Sequence, residues 1–548
     1  MRHTQSGLVI MTAACGLLLA GCGGSGPQGN DKANPTGQTS AKPAASAQKV
    51  FTYANVAEPR RLDPAFMYDV YEGIVSGYMY DGLVLFDPEN KVVPGLAEKW
   101  EVASDGKTYT FHLRDAKFSN GKPVTSADVR YSFTRLLRPE TNSNRKWLFD
   151  NVTGVEAVTS GTAKELSGLE TPDPKTVIFK LDRPYPAFLT KLAMPNAVII
   201  PENSAGVEKP DKQFEAKPIG SGPWVLDKWV HDQRMEFKRN EFFWGNNVKL
   251  DKLIYQVTVN DRVQQQQFEV GNLDTYAVSF TVWPQWSRDP AKRDRMMPVQ
   301  ELVTFYVAMM NNKPHLKDKR VRQAISHGIN IKSIFENLQQ GRGIQAHGSV
   351  PYGIEGYRPD IPPRAYDPEK ARKLLAEAGV KDLTLNYWFT DDNLTGEIAS
   401  AIKSDLEKIG VQVNLARRDT AAFRQAIVGG EPDLYSYSWW LDYPDIENAL
   451  IPSFHTRNIP YGGNGCRYSN PKFDKLVDAA QNEPDPKKRI EMFQKAEDMI
   501  IEDCPWVFSY HRRTYNISQP WVQNYKPAIM YNADRYTDVD IDLAKKPR

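Results

Sequence analysis

The residues best equipped to recognise a ligand lie in one run, from Tyr435 to Asp445. Two adjacent tryptophans, Trp439 and Trp440, and the carboxylate of Asp442 stand just before a turn-forming Tyr443-Pro444-Asp445. A carboxylate in an enclosed site can pair with an ammonium group, and hydrogen bonds to charged groups are worth about 1.5–3 kcal/mol each. The same residue type also caps turns, so Asp442 could simply close the one that follows it. The tryptophans could line a ligand channel or fill a core. Strand neighbours face opposite sides, so one of each is expected. Catalytic patterns are missing. The chain has no Gly-x-Ser-x-Gly and no His-x-x-x-His enclosing a Glu, the arrangements hydrolases use. Its eight histidines are scattered, and Gly341-Arg342-Gly343 is too short for a nucleotide loop. No catalytic residue, metal or cofactor is expected.

The cysteines carry a second kind of chemistry. Leu19-Ala20-Gly21-Cys22 follows an apolar run, Gly7 to Ala20, with Arg2 and His3 ahead of it. That order describes a secretory signal over residues 1–21, and the run is too short to span a bilayer permanently. Cys15 leaves with the signal. Cys466 and Cys504 remain in an oxidation-permissive compartment, where a disulfide between them is the favoured reading. Two buried free thiols are the alternative. From Gly23 to Gln48 the chain is almost devoid of large apolar residues. Such a segment cannot repay its ordering entropy, and a coil of about 26 residues reaches roughly 25–30 Å.

The elements that must position these residues form a large, mixed body. With 548 residues, 41% hydrophobic and 11% aromatic, the chain exceeds what one core usually holds. A formal net charge of +2 gives no argument for nucleic acid. No later stretch approaches a membrane span. Tyr109, Phe111 and Leu113 alternate as in a half-buried strand, as do Val177, Phe179 and Leu181, and Leu253, Tyr255, Val257 and Val259. Asp367-Pro368 predicts a helix start, with Ala371, Leu374, Leu375 and Ala378 on one face and Gly379 at its end. Val321, Ala324, Ile325 and Gly328 share that spacing. So do Phe473, Leu476, Val477 and Ala480, ahead of a further helix from about Pro486 to Asp503. The mixture predicts an α/β or α+β protein without internal repeats.

Read in order, these segments resemble the extracellular solute-binding proteins of the peptide and nickel class, which serve ABC importers. The likeness runs from Glu58-Pro59-Arg60-Arg61-Leu62-Asp63-Pro64 and Tyr80-Asp81-Gly82-Leu83-Val84 through Gly95-Leu96-Ala97-Glu98-Lys99-Trp100 and Lys117-Phe118-Ser119-Asn120-Gly121. It continues in Pro218-Ile219-Gly220-Ser221-Gly222-Pro223-Trp224, Gly271-Asn272-Leu273-Asp274 and Tyr366-Asp367-Pro368-Glu369-Lys370-Ala371. Leu19-Ala20-Gly21-Cys22 likewise resembles the lipobox of bacterial lipoproteins, which implies a lipid on Cys22 and a cell-envelope location, facing periplasm or exterior. The resemblance implies a two-lobed α/β fold of the periplasmic-binding-protein type II (Venus-flytrap) kind, with an inserted subdomain. Residues 22–48 are then the lipidated tether. Residues 49–84, 217–297 and 518–548 form lobe I, 85–216 its inserted subdomain, and 298–517 lobe II.

The resemblance also implies a function: a lipid-anchored, monomeric receptor that captures peptides between its lobes and delivers them to an ABC permease. In peptide-binding relatives the aspartate at the position of Asp442 pairs with the ligand's α-amino group, and main-chain groups at Trp440 meet the peptide backbone. Trp439 and Tyr443 belong to the same segment, and Tyr68 and Asp69 correspond to a ligand-edge loop. Trp283 and Tyr306 are further candidates for pocket walls, with core packing as their alternative. A basic partner for the ligand's carboxylate is not identified. The arginine of some relatives is Ser436 here, and Arg417, Arg418 and Arg424 read equally as surface charges. That departure leaves room for a nickel chelate or a sugar as ligand, or for a sensing or chaperone clamp without transport.

Overall fold

Alternating apolar residues build the first sheet. In the computed structural model, Phe51 and Tyr53, Leu253 and Tyr255, and Met235 and Phe237 all enter one buried core. They lie in register, Phe51 opposite Leu253 opposite Phe237, and Tyr53 opposite Tyr255 opposite Met235. The sheet runs Val50–Asn55, Lys252–Val257, Arg234–Arg239, Trp224–Val230, with only the first pair parallel. The expected Val259 is not part of it: the strand stops at Val257 and Val259 is exposed. The chain end returns to this core through Trp521, Tyr536 and Ile541, and the Lys49 ammonium pairs with Asp540 at 2.6 Å. The structure describes residues 48–206, 211–245, 248–390, 393–461 and 463–547. The signal, Cys15 and Cys22 lie outside them. Among the described residues, no helix is long and apolar enough to cross a membrane.

A second, antiparallel sheet lies within residues 97–180, ordered Ala97–Val102, Thr108–Leu113, Thr176–Lys180, Leu169–Asp173. Its apolar face, with Tyr109 opposite Phe179 and Phe111 opposite Val177, shares a buried cluster with Phe133 of helix Ser126–Leu137. Buried aromatic and aliphatic area of this kind contributes about 25 cal/mol per Å² removed from water, which is why the alternation read from sequence finds a partner face.

The largest sheet has seven strands. Its order is Thr275–Ala277, Trp506–Ser518, Met296–Met309, Leu434–Trp440, Thr384–Thr390, Gln412–Arg418, with Gly343–Gln345 also paired to Trp506–Ser518. The two long strands, Met296–Met309 and Trp506–Ser518, run antiparallel with register shifts near Gln300–Thr304 and Phe305–Tyr306. The edge strand Thr275–Ala277 lies against the first sheet, where Thr52 N donates to Asp274 Oδ2 at 2.7 Å. Helices cover the large sheet. Asp367 caps Pro368–Glu377 by accepting from Lys370 N, Asp485 caps Pro486–Asp503, and Val321, Ala324, Ile325 and Gly328 are buried along Lys319–Gly328.

The expected disulfide is corrected. Cys466 and Cys504 are separate buried thiols. Cys504 ends its helix in a left-handed cap and aims Sγ at the carbonyls of Arg322 and Trp506, 3.7 and 3.6 Å away. Cys466 Sγ turns to Asn464 Oδ1 at 3.5 Å. Burial pushes the Cys466 thiol up to about 11, so it stays protonated and packs as a small apolar group.

Candidate functional site

Strand Leu434–Trp440 carries the predicted recognition run to the end of the large sheet. Leu441 N still bonds Leu302 O at 2.9 Å. The chain then turns, and Asp445 caps helix Ile446–Phe454 by accepting from Glu447 N. Asn448 on that helix ties the turn down: it takes Asp442 N on Oδ1 at 2.8 Å and Trp439 Nε1 on its carbonyl at 2.7 Å. The turn thus has its own cap in Asp445, and the Asp442 carboxylate, beside Asn448 and Arg145, faces a cavity.

That cavity holds about 530 Å³, within the range of ligand sites. Its walls come from distant parts of the chain: Tyr53 and Asn55, Tyr68 and Asp69, Arg145, Glu301, Trp440 and Asp442, and the tail from Tyr525 to Tyr536. Asp69 also caps helix Val70–Met79 in a capping box with Glu72. The Asp442 side chain is 42% exposed, and Arg145 Nη1 stands 3.9 Å from its Oδ1. Arg145 is itself held by Tyr68 O at 2.7 Å. Burial raises the Asp442 carboxyl above its ordinary value, with Arg145 and Asn448 pulling the other way. At the cavity's far wall Asp534 is pushed up to about 7, by desolvation first, against hydrogen bonds from Ala528 and Tyr536. Burial raises the phenols of Tyr53, Tyr78, Tyr525 and Tyr536 well above their usual range, so this wall offers neutral hydroxyls.

A second cavity of about 680 Å³ adjoins the first, the two sharing Ala277 and Thr514. Arg342, Arg512, Tyr306, Ser436, Tyr437 and Ser438 are on its walls. The strand edge between the cavities is incomplete. Leu434–Trp440 is paired along its length with Val303–Met309, but on its other side it meets Thr384–Thr390 only at Leu434 and Tyr435. Ser436 to Trp440 therefore have no strand neighbour on that side among the described residues.

The structure brings Tyr68, Asp69, Trp440 and Asp442 onto the first cavity and Tyr306 onto the second. Tyr306 is almost wholly covered, stacked on Trp506 at 3.4 Å between ring centroids. Three expected residues stand elsewhere. Trp439 is half-buried and packed against the core through its bond to Asn448, while Trp440 is 47% exposed, so the neighbours divide as strand geometry requires. Tyr443 is buried, bonded to Glu447 Oε1 at 2.7 Å and stacked on Trp147. With Tyr185 and Arg489, which also bond Glu447, it ties the 97–180 sheet's neighbourhood to the large sheet's helices. Trp283 stacks on Tyr515 at 4.3 Å and lies behind Arg342. Arg417, Arg418 and Arg424 are exposed and line neither cavity.

Sequence reasoning missed Arg145, Glu301, Arg342, Arg512 and Asp534. For Arg342 a signal existed in its flanking glycines. A Cβ on Gly343, whose φ is +144°, would lie 2.2 Å from His511 O, so glycine lets this strand close on Trp506–Ser518 and bring Arg342 beside Arg512. Among the described residues, no group of three or more His, Cys, Asp or Glu side chains is placed to hold a metal ion.

The sequence model of the bacterial extracellular solute-binding proteins, family 5 (middle region), matches residues 91–461. The dipeptide-binding protein of Escherichia coli strain K12 is 28% identical over 510 residues, covering 88% of this chain and 93% of its own. Heme-binding protein A of Haemophilus influenzae is 27% identical over 562 residues, 97% of this chain and 98% of its own. Among solved structures, that of HbpA2 from Haemophilus parasuis superposes with a TM-score of 0.79 at 26% identity, covering 90% of this chain and 100% of its own. This mixed α/β chain shares the two-lobed fold of these binding proteins.

Proposed function

This chain belongs to the bacterial extracellular solute-binding proteins of family 5, and from that premise we propose that it is the peptide receptor of an ABC importer. Residues 49–84, 217–297 and 518–548 act as one lobe, with 85–216 inserted in it, and 298–517 act as the other. The long strands Met296–Met309 and Trp506–Ser518 are the crossings about which they bend. Cys22 carries the lipid, and the segment behind it tethers the clamp near its permease.

Relatives of this chain differ in the ligand their names state, so the cleft's own chemistry must choose. The observation that carries the peptide reading is the Asp442 carboxylate on a cavity wall. Its backbone is fixed by Asn448, whose side chain also bonds the carboxylate, and Arg145 stands off at 3.9 Å. A ligand ammonium between the lobes would find there a charge partner of fixed position. The unpaired edge from Ser436 to Trp440 gives an extended peptide main chain a strand to join. Side chains then occupy the cavities, where water can fill unused space.

N-acetylation of the peptide tests this. Leaving Asp442 without its cation in the closed cleft costs about 3–5 kcal/mol, so the acetylated peptide should bind at least roughly tenfold more weakly than the free one by calorimetry. Equal affinity would remove the amine from the recognition scheme.

A further inference from the structure

Asp534 is an acid without a cation. It belongs to the tail that returns to the first sheet, and it lines the same cavity of about 530 Å³ as Asp442. Four phenols surround it on the cavity wall: Tyr53 from strand Val50–Asn55, Tyr78 from helix Val70–Met79, and Tyr525 and Tyr536 from the tail. Their rings pack around Tyr536, with centroids 5.5, 5.8 and 6.0 Å from it for Tyr53, Tyr78 and Tyr525. The hydroxyls of Tyr53 and Tyr78 share a hydrogen bond at 2.5 Å. Burial first, with the charge of Asp534 adding to it, raises all four phenols, so they stay neutral around the acid. Asp534 accepts hydrogen bonds from Ala528 N and the Tyr536 hydroxyl. A carboxylate has about four lone-pair positions, so acceptor capacity remains. Among the described residues no lysine, arginine or histidine acts on it, and Arg145 stands at Asp442 instead. A desolvated, unpaired acid on a cavity wall is a group kept for a ligand.

We propose that Asp534 and its ring of tyrosines form a subsite for a cationic side chain, a lysine or arginine at the first position of the ligand. The inference rests on the peptide reading above and deepens it from the main chain to one side chain. A peptide whose amine meets Asp442 places its first residue in the cavity that Asp534 lines. Tyr531 links the two acids: it stands three positions before Asp534, and beyond burial its phenol feels the charges of Arg145, Asp442 and Asp69. Ile74 and Ile529 on the same wall suit the aliphatic stem of a lysine or arginine. Tyrosine rings attract a cation within about 6 Å of their centroids, and the carboxylate supplies its counter-charge. Burial pushes Asp534 up to about 7, so below that pH the incoming cation must displace a proton. The groups facing the acid from strand, helix and tail are the four phenols, neutral across this range. Preference for a cationic side chain therefore strengthens as pH rises to about 7 and is level above it.

The test titrates the full chain with Lys-Ala-Ala, norleucyl-Ala-Ala and Nα-acetyl-Lys-Ala-Ala by calorimetry. Norleucine matches the lysine stem without its charge. At pH 8 the lysyl peptide should bind at least about tenfold more tightly than the norleucyl one, the effect of a charge-assisted contact. At pH 5 that ratio should shrink to about threefold or less. Protonation of Asp442 weakens both peptides alike and cancels from the ratio, which is read in the wild type without any mutation. Asp534→Asn should hold the ratio within about twofold at either pH, while Asp534→Glu, which keeps the charge, preserves part of it. Equal affinities at pH 8, a ratio indifferent to pH, or a ratio unchanged in Asp534→Asn overturns the subsite. If acetylation has no effect while lysine is still preferred, the amine pairing at Asp442 fails and the subsite stands. If acetylation weakens binding while lysine gives no advantage, the subsite alone falls. If no peptide binds, butylammonium is tested by its effect on the melting temperature at pH 8. A rise that Asp534→Asn abolishes upholds the subsite, and no rise overturns it.

Discussion

The two adjoining cavities share Ala277 and Thr514 and differ in sign. Among the described residues, the first sets Asp69 and Asp442 with one cation, Arg145, and holds Asp534, pushed up to about 7, in a wall of neutral tyrosines. Among the described residues, the second sets Arg342 and Arg512 beside one carboxylate, Glu301, which lines the first. A cleft of uniform charge would attract a ligand without orienting it. Opposite signs at its two ends would orient a ligand that carries both charges. The difference also separates two routes to a ready site. At the acidic end Asn448 fixes the turn that carries Asp442, whereas at the basic end Arg342 Nε has no hydrogen-bond partner among the described residues.

The largest effect expected from breaking the contrast is at the acidic end. Asp442→Ala should cost about 3 kcal/mol of affinity for a free peptide. It should also erase the difference between free and acetylated forms in calorimetry, and wild-type affinity would take Asp442 out of the site. Trp440→Ala acts at the boundary, where the ring supports Arg512. Losing that contact should weaken peptide binding by about 1 kcal/mol in calorimetry.

A third experiment sharpens the acidic end by pH. Asp442 must be ionised to hold an ammonium, and burial raises its carboxyl. Affinity should therefore fall on acidification starting above the ordinary carboxylate range. Arg145 pulls that carboxyl down, so Arg145→Met should move the midpoint of the affinity curve to higher pH. An unmoved midpoint would separate the two groups. The smallest effect is on stability. Asp534 is pushed up to about 7, so the folded state keeps a proton that the unfolded chain releases near pH 4. Wild-type stability then falls as pH rises from about 4 to 7 and is level above it. Asp534→Asn should lack that slope and melt about 2–4 °C higher than wild type at pH 8, with no gain at pH 4.

Much of the scaffold was legible because its signals are local. The alternation in Thr108–Leu113 and Lys252–Val257 needs only one buried face, and Pro368–Glu377 and Pro486–Asp503 announce their starts with Asp and Pro. Of the recognition run, the alternation says only that Trp439 and Trp440 face opposite sides, and the family resemblance singles out Asp442; folding decides that Trp440 and Asp442 are the ones on a cavity wall. Tyr443 was misplaced because aromatic side chains serve cores and clefts alike, and only the arrival of Trp147 and Glu447 buries it. The disulfide failed similarly. Two cysteines and an oxidising compartment permit a bond, but the left-handed turn at Cys504 directs its sulfur at carbonyls.

The sequence by itself determined the family, the run of elements and the carboxylate that ends one strand, because each is written in contiguous residues. The tertiary structure alone decided which charges share a cavity. Arg145 reaches Asp442 from 297 positions away by numbering, and Arg342 meets Arg512 only because Gly343 admits their strands to close contact. Coulomb interactions and desolvation depend on distance and surroundings, not on chain order, so the sign of each end of the cleft exists only once the chain has folded.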